Sequence, residues 1–385
     1  MFGSLIEMVA TDPWSLLRML VMWAIGGLLI YLAIKKDMEP ALLLPMGFGA
    51  ILVNLPFSGA ITQTIEGIVE EGPLSTLFDA GIANELFPLI LFIGIGAMID
   101  FGPLLKNPKL LIFGAAAQFG IFVTILLAAG IGQIFPGTFS IQDAAAAGII
   151  GAADGPSAIF AANYYGTKYM GAIMVAAYSY MALVPVIQPP CIRLVTTKKE
   201  RMIRMPYESG DVSRFVRILF PIVVTIIAGL VAPRSVALVG FLMFGNLLRE
   251  CGVLGSLSET AQNALANLIT IFLGITVATK MQAELFLTFE TILIMLLGLF
   301  AFVFDTIGGV MFAKFINLFT KNKINPMIGA CGISAFPMSS RVVHKMGLKE
   351  DPQNFLLMHA AGVNVGGQIA SVIATGMVLN LIPKF

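Results

Sequence analysis

Gly151-Ala-Ala-Asp154-Gly-Pro-Ser157-Ala-Ile-Phe160 sets a carboxylate, two glycines and a proline inside a run of otherwise apolar sequence. Glycine and proline both oppose continuous helix, and Pro156 has no N–H to close a turn. The surroundings make this break informative. The chain is 58% hydrophobic and 12% charged, with a mean hydropathy of +0.91. Soluble domains average about 25% charged residues, so the composition is that of a membrane protein. Apolar stretches near the length of about 20 residues that spans a bilayer recur throughout, as at 19–34, 110–129 and 289–304. No polar interval is long enough for a soluble domain. Irregular backbone at membrane depth is tolerated only where protein buries it or where it lines a polar cavity.

A second break lies far downstream, in Asn325-Pro-Met-Ile-Gly329-Ala-Cys-Gly332-Ile-Ser334-Ala-Phe-Pro337-Met-Ser-Ser340-Arg341. Gly148, Gly151 and Pro156 have the same mutual spacing as Gly329, Gly332 and Pro337. Other echoes keep the same order. Arg18-Met-Leu-Val matches Arg217-Ile-Leu-Phe, and Leu91-Phe-Ile-Gly-Ile-Gly-Ala97 matches Ile271-Phe-Leu-Gly-Ile-Thr-Val277. A duplication with six elements per half follows. The first set is expected near 15–34, 39–55, 84–99, 109–134, 142–164 and 169–192. The second is expected near 215–231, 235–250, 264–279, 286–317, 325–345 and 354–381.

Loop charges orient the halves, because lysine and arginine accumulate on the cytoplasmic side. Lys35, Lys36, Lys106, Lys109, Arg193, Lys198, Lys199, Arg201 and Arg204 are placed inside; Glu66, Glu70, Glu71 and Asp79 are placed outside. Lys314, Lys321, Lys323, Lys345 and Lys349 are again inside. Satisfying these signs requires that one element per half, 142–164 and 325–345, does not cross fully. An odd number of crossings inverts the second half relative to the first. The expected fold is therefore an all-α polytopic membrane protein of two inverted structural repeats. Each has about five transmembrane helices plus one broken or re-entrant helix, with residues 1–196 and 215–385 as the repeats and 197–214 as a cytoplasmic linker. Such repeats, meeting at the midplane through broken helices, are a transporter design.

An acid at this depth costs several kcal/mol unless something pairs with it. No basic residue follows Asp154 until Lys168, which leaves a proton, a cation or a residue from elsewhere in the fold. Asp154 also reads as an N-cap before Gly-Pro-Ser. Asn325 and Ser334 offer neutral oxygens, glycines such as Gly329 free nearby carbonyls, and Gly362-Val-Asn364-Val-Gly-Gly367 adds another amide. One carboxylate with neutral oxygens suits a monovalent ion, whereas calcium and magnesium usually recruit more carboxylates or water. Close packing through small residues accounts for the glycines on their own, but not for Asp154, Asn325, Ser334 and Asn364 together.

Other residues have two readings. Asp305, in Phe302-Val-Phe-Asp305-Thr-Ile-Gly-Gly, is either a second functional acid or a packing polar group. Tyr178 and Tyr180 read as interfacial anchors before a proline-broken helix end. Arg341 is placed to hold an anion bidentately or simply to snorkel. The histidines, His344 and His359, and the cysteines, Cys191, Cys251 and Cys331, show no metal or redox spacing. Glu7 and Asp12 precede the first apolar run, which lacks a basic leader and is read as a retained helix. A net charge of +1 gives no case for nucleic acid.

Three stretches resemble one family: 151–160, 332–342, and Asp351-Pro-Gln-Asn-Phe-Leu-Leu-Met-His-Ala-Ala-Gly-Val-Asn364. They are similar to the β subunit of sodium-pumping biotin-dependent decarboxylases, the oxaloacetate, glutaconyl-CoA and methylmalonyl-CoA decarboxylase complexes. The likeness runs over nearly the whole chain. It departs at Ala152, where the family often has glycine, and at Ser157, where threonine is common.

The resemblance implies a bacterial or archaeal cytoplasmic membrane protein that decarboxylates carboxybiotin, consumes a proton and exports sodium. Its implied partners are a carboxyltransferase α subunit, a biotin carrier protein and a small single-span membrane subunit, with lipid around it and a homo-oligomer expected. Asp154 would be the central sodium ligand, with Asn325, Ser334 and Asn364 completing ion sites and Gly329 keeping the backbone close. Tyr180 and Arg341 match positions on the ion and carboxybiotin path. A stand-alone secondary sodium symporter or antiporter fits composition and topology equally, and a purely structural subunit leaves Asp154 without a purpose.

Overall fold

The computed structural model describes residues 12, 14–36, 38–65, 68–206 and 211–384; Glu7 and Glu66 lie outside them. The first half contains α1 (Ser15–Lys36), α2 (Pro40–Val53), a short antiparallel hairpin of β1 (Gln63–Ile65) and β2 (Ile68–Glu70), α3 (Pro73–Gly81), α4 (Leu86–Met98), α5 (Gly102–Lys106), α6 (Leu110–Ala117) and α7 (Phe119–Ile134). It closes with α8 (Ile141–Gly148), a 3-10 turn (Ile149–Ala152), α9 (Gly155–Tyr165) and α10 (Met170–Val195). A short α11 (Lys198–Arg201) leads to the second half.

That half runs α12 (Arg214–Val231), α13 (Val236–Glu250), α14 (Gly255–Thr260), a π turn, α15 (Ala266–Val277), α16 (Ala283–Phe286) and α17 (Phe289–Phe319). It ends with a 3-10 segment (Pro326–Gly332), α18 (Met338–Glu350) and α19 (Leu357–Leu381). Six of the described helices are long and apolar enough to cross a membrane, and two bent pairs raise the number to eight. The protein is an all-α, multi-pass membrane protein.

Burial separates perimeter from centre. The apolar stretch of α12 is 11% buried and that of α1 is 28%, so both turn hydrophobic side chains outward, whereas that of α19 is 89% buried. The centre is sealed by small residues. A Cβ on Gly96 would sit 1.8 Å from the Leu242 carbonyl oxygen, and one on Gly245 would sit 2.0 Å from that of Ile93. Only glycine allows α4 and α13 this approach. Packing is crosswise between the halves: α4 lies on α13 and α2 on α15, while α6 lies on α19 and α10 on α17.

The breaks have local causes. Ser140 and Asp143 form a capping box that starts α8. The α9 helix starts at Asp154-Gly-Pro, with proline in its first turn, and stops at Gly166 with φ +62°. α10 bends by 69° between its 170–181 and 183–195 parts. Pro185 lacks the N–H that would meet the Met181 carbonyl, which accounts for the bend. The element expected at 109–134 is one membrane-length helix, Leu110–Ile134, locally irregular at Gln118 between α6 and α7. The cause is a side chain from another helix: Asp305 Oδ1 accepts the Gly120 N–H at 2.5 Å. The hairpin and α3, in the acidic stretch placed outside, are additions to the sequence reading.

Candidate functional site

The two interruptions touch. The Ser334 N–H donates to the Ala152 carbonyl at 2.9 Å, joining the turn before α9 to the extended chain before α18. Asp154 caps α9, so the N-cap reading of its sequence holds. Its Oδ2 accepts from Ser157 Oγ at 2.6 Å, and Oδ1 accepts a long 3.4 Å bond from the Ser157 N–H. The residue before it, Ala153, is buried with φ +52°, a left-handed conformation unfavourable for alanine. That turn holds the Asp154 carboxylate where it caps its own helix and also meets α19. There Ser371 Oγ lies 3.3 Å from Oδ2 and also hydrogen-bonds to Ser334 Oγ. One hydroxyl thus links the acid of the first interruption to the serine of the second. No lysine, arginine or histidine pairs with Asp154 among the described residues.

The second interruption has a more specific architecture than glycine content suggests. Its backbone leaves successive carbonyls without helical partners, and side-chain amides from three helices or helix ends take them up. Gln188 of α10 donates to Ala330 O at 2.7 Å. Asn364 of α19 donates to Cys331 O at 3.2 Å and to Ile333 O at 2.7 Å. Gln118, at the α6–α7 break, donates to Gly332 O at 3.0 Å. The carbonyls expected to serve as ion ligands are therefore engaged in holding the segment. What remains without a partner is the other end of two of these amides, Asn364 Oδ1 and Gln118 Oε1, together with the Tyr178 hydroxyl, all buried. Donating its N–H₂ fixes which end of each amide is oxygen, so each oxygen keeps its lone pairs free of a protein donor among the described residues.

Asp154, Ser334 and Asn364 thus share one neighbourhood. Asn325 does not. Its amide donates to the Arg201 and Ile203 carbonyls at 2.9 Å each, and its Oδ1 accepts from the Met327 N–H. It fastens the linker after α11 to the start of the second interruption. Gly329 packs that interruption on α17, for a Cβ there would lie 2.1 Å from Gly309 O, and the contact is reciprocal.

Tyr178 and Tyr180 are both buried, which overturns their reading as interfacial anchors. The Tyr178 ring covers Gly155, directly after Asp154. The Tyr180 hydroxyl donates to Met295 O and its ring packs on Gly298, so it ties α10 to α17 without touching Asp154. Arg341 is exposed on α18, and its guanidinium has no ion-pair partner among the described residues. Asp305 is wholly buried; one oxygen caps the start of α7, and Oδ2, beside Gly151, has no hydrogen-bond partner among the described residues. Ser371, Gln118 and Gln188 were not singled out by sequence. Ser371 is one of several polar residues of α19, Gln118 sits at a helix end, and Gln188 lies in the proline-rich end of α10, so none stands out from its neighbours.

A buried, unpaired carboxylate with neutral oxygens at a meeting of broken helices suits a monovalent cation in transit. Residues 18–382 match the family described as the Na+-transporting oxaloacetate decarboxylase beta subunit. The chain belongs to this family. It is 48% identical over 379 residues to the methylmalonyl-CoA decarboxylase subunit beta of Propionigenium modestum, covering 94% of each chain. Its similarity to the Veillonella parvula methylmalonyl-CoA decarboxylase subunit beta is 49% over 362 residues, covering 94% of this chain and 92% of the relative. With the probable oxaloacetate decarboxylase beta chain of Vibrio cholerae it shares 44% identity over 411 residues, covering 94% and 95%. As a β subunit of a sodium-transporting decarboxylase, the chain has a use for a buried acid that a purely structural subunit would lack, and the stand-alone symporter reading gives way.

Proposed function

We propose that this chain couples decarboxylation of carboxybiotin to sodium export across a bacterial or archaeal cytoplasmic membrane, through the junction at Asp154. The observation that supports it is the hydrogen-bonded path from Asp154 through Ser371 to Ser334, which joins two interruptions from opposite halves. In this reading sodium is the cargo. Asp154 supplies the one negative charge, and Ser334 and the Asn364 oxygen supply neutral ligands. Asn325 and Gly329 serve the ion path by setting the position of the second interruption. Arg341, exposed at the start of α18, receives the carboxylate of carboxybiotin carried on a partner, and Tyr180 holds α10 beside that path.

The reaction balances simply. The N–COO⁻ bond of carboxybiotin breaks, CO₂ leaves, and the ureido nitrogen takes up one proton. Moving one charge against 100 mV requires about 2.3 kcal/mol, so this exergonic step has to be tied to the ion. Competition between sodium and a proton for Asp154 provides the tie. Residues 1–196 and 215–385 are read as inverted repeats, with 197–214 as the cytoplasmic linker. The matched order of six elements and the crosswise packing between halves support that reading. Movement of one half against the other would change the side to which the junction opens.

The complex we expect around it contains a carboxyltransferase α subunit, a biotin carrier and a small single-span membrane subunit, with the chain itself as a homo-oligomer. The test is decarboxylation of free carboxybiotin by this chain reconstituted with its small membrane partner. Turnover that rises with sodium supports the proposal; turnover indifferent to sodium contradicts it.

A further inference from the structure

The helix that follows the second interruption carries a feature that the ion site does not use. Arg341, Lys345 and Lys349 recur at every fourth position of α18, and all three are exposed. Residues four apart lie one above another on a helix face, in steps of about 6 Å. The row therefore runs along one edge of α18, from beside the second interruption to the far end of the helix. α10 and α11 pack against α18, and they add exposed Arg193, Lys198 and Lys199. None of these six side chains has an ion pair or hydrogen bond among the described residues.

Three described acids close by are engaged elsewhere. Glu350 pairs with Arg201 at 2.8 Å, Asp351 with Arg204 at 2.5 Å, and Glu200 with Lys314 at 3.1 Å. Among the described residues the positive charge of the row is left without a counterpart. Basic residues beside a membrane commonly meet anionic lipid, yet the surroundings of α18 argue otherwise. Large exposed apolar side chains mark lipid-facing surface: Leu318 and Phe319 before this region are each 76% exposed, and Phe355 after it is 66%. Between them, from 320 to 354, no large apolar side chain is exposed. α18 is flanked by α10, α11 and α19, and its open edge carries no large exposed apolar side chain, whereas Leu194, beside Arg193 on α10, is 81% exposed and marks the lipid side of the flank.

We infer that the α18 row, Arg341–Lys345–Lys349 with its lysine flank, is the docking surface for an acidic face of the biotin carrier. The inference rests on the functional reading above and adds the partner's chemistry to it. A surface of one sign raises the rate at which a charged partner arrives, by roughly ten- to a thousandfold, and salt weakens the effect. Here it would bring the carrier to the end of α18 remote from the interruption and lead its carboxylate along the row to Arg341.

The test uses the intact complex and the double variants Lys345→Gln/Lys349→Gln and Lys345→Glu/Lys349→Glu, leaving Arg341 in place. Two quantities are read: binding of the biotinylated carrier across a salt series, and decarboxylation of free carboxybiotin. The expected result is carrier binding weakened roughly tenfold by the glutamine pair and further by the glutamate pair, with a flattened salt dependence. Turnover of free carboxybiotin stays unchanged, which also shows that the variants fold. Carrier binding equal to that of the unmodified complex overturns the docking surface. So does a binding defect that disappears when anionic lipid is replaced by zwitterionic lipid, since the row would then serve lipid. Loss of sodium-stimulated turnover in the unmodified complex contradicts the functional reading alone, because carrier binding still reports on the row.

Discussion

Ser371 Oγ stands 3.3 Å from Asp154 Oδ2 and hydrogen-bonds to Ser334 Oγ, so one α19 hydroxyl bridges the acid of one broken helix to the serine of the other. A hydroxyl can donate to the carboxylate or turn a lone pair toward a cation, and it changes role without moving its carbon.

Ser371→Ala removes this bridge while leaving Asp154, Ser157 and Ser334 in place. A net hydrogen-bond contribution of about 0.5–1.5 kcal/mol corresponds to a rise of about two- to tenfold in the sodium concentration giving half-maximal decarboxylation. The maximal rate should fall less than it does on loss of Asp154. Sodium titration of the reconstituted complex measures both; an unchanged half-saturation value would remove Ser371 from the ion path.

Asp305 separates charge from capping. Its Oδ1 accepts the Gly120 N–H where α6 gives way to α7. Asp305→Asn keeps an acceptor of the same shape and should fold with little change. Asp305→Leu strands that buried N–H and should cost about 1–3 kcal/mol, seen as a lower unfolding temperature in detergent. Equal stability of the two variants would show that the cap does not hold the break.

The linker responds to acid in a defined direction. The Arg204 guanidinium and the Gln353 N–H hold the Asp351 carboxyl below the usual carboxylate range. A carboxyl depressed in the folded state stabilises it above the unfolded value of about 3.9, and that contribution is lost as pH falls through the folded value. Protection of amides 197–205 against hydrogen exchange, corrected for intrinsic rate, should be constant at neutral pH and drop below about pH 4. Loss of protection on raising pH from neutral would have the opposite sign and contradict the assignment.

Much of this was legible in the sequence because a broken helix in apolar surroundings is conspicuous. Gly155-Pro156 and Gly332 marked the two interruptions, and Asp154, Ser334 and Asn364 were identified with them. Partners across the fold were not legible. Ser371 sits in α19, whose apolar stretch is 89% buried, so no contrast between lipid-facing and inward faces picks it out. Gln118 and Gln188 act on carbonyls more than 140 residues away in sequence, a separation that no local pattern encodes. Asn325 was identified as a polar break residue, but its neighbours, the linker carbonyls of Arg201 and Ile203, only the fold reveals. The irregularity at Gln118 has no local signature, because Asp305, which accepts the Gly120 N–H, lies on another helix.

The central claim is that one carboxylate serves both ion and proton. Asp154→Asn preserves shape and an acceptor for the Ser157 N–H, so α9 keeps its cap, but the charge is gone. Sodium flux and decarboxylation are measured together in proteoliposomes containing the complex. Both should fall by at least about a hundredfold, the effect of losing about 3 kcal/mol of buried charge interaction. Sodium-coupled decarboxylation persisting at the unmodified level in Asp154→Asn would contradict the account.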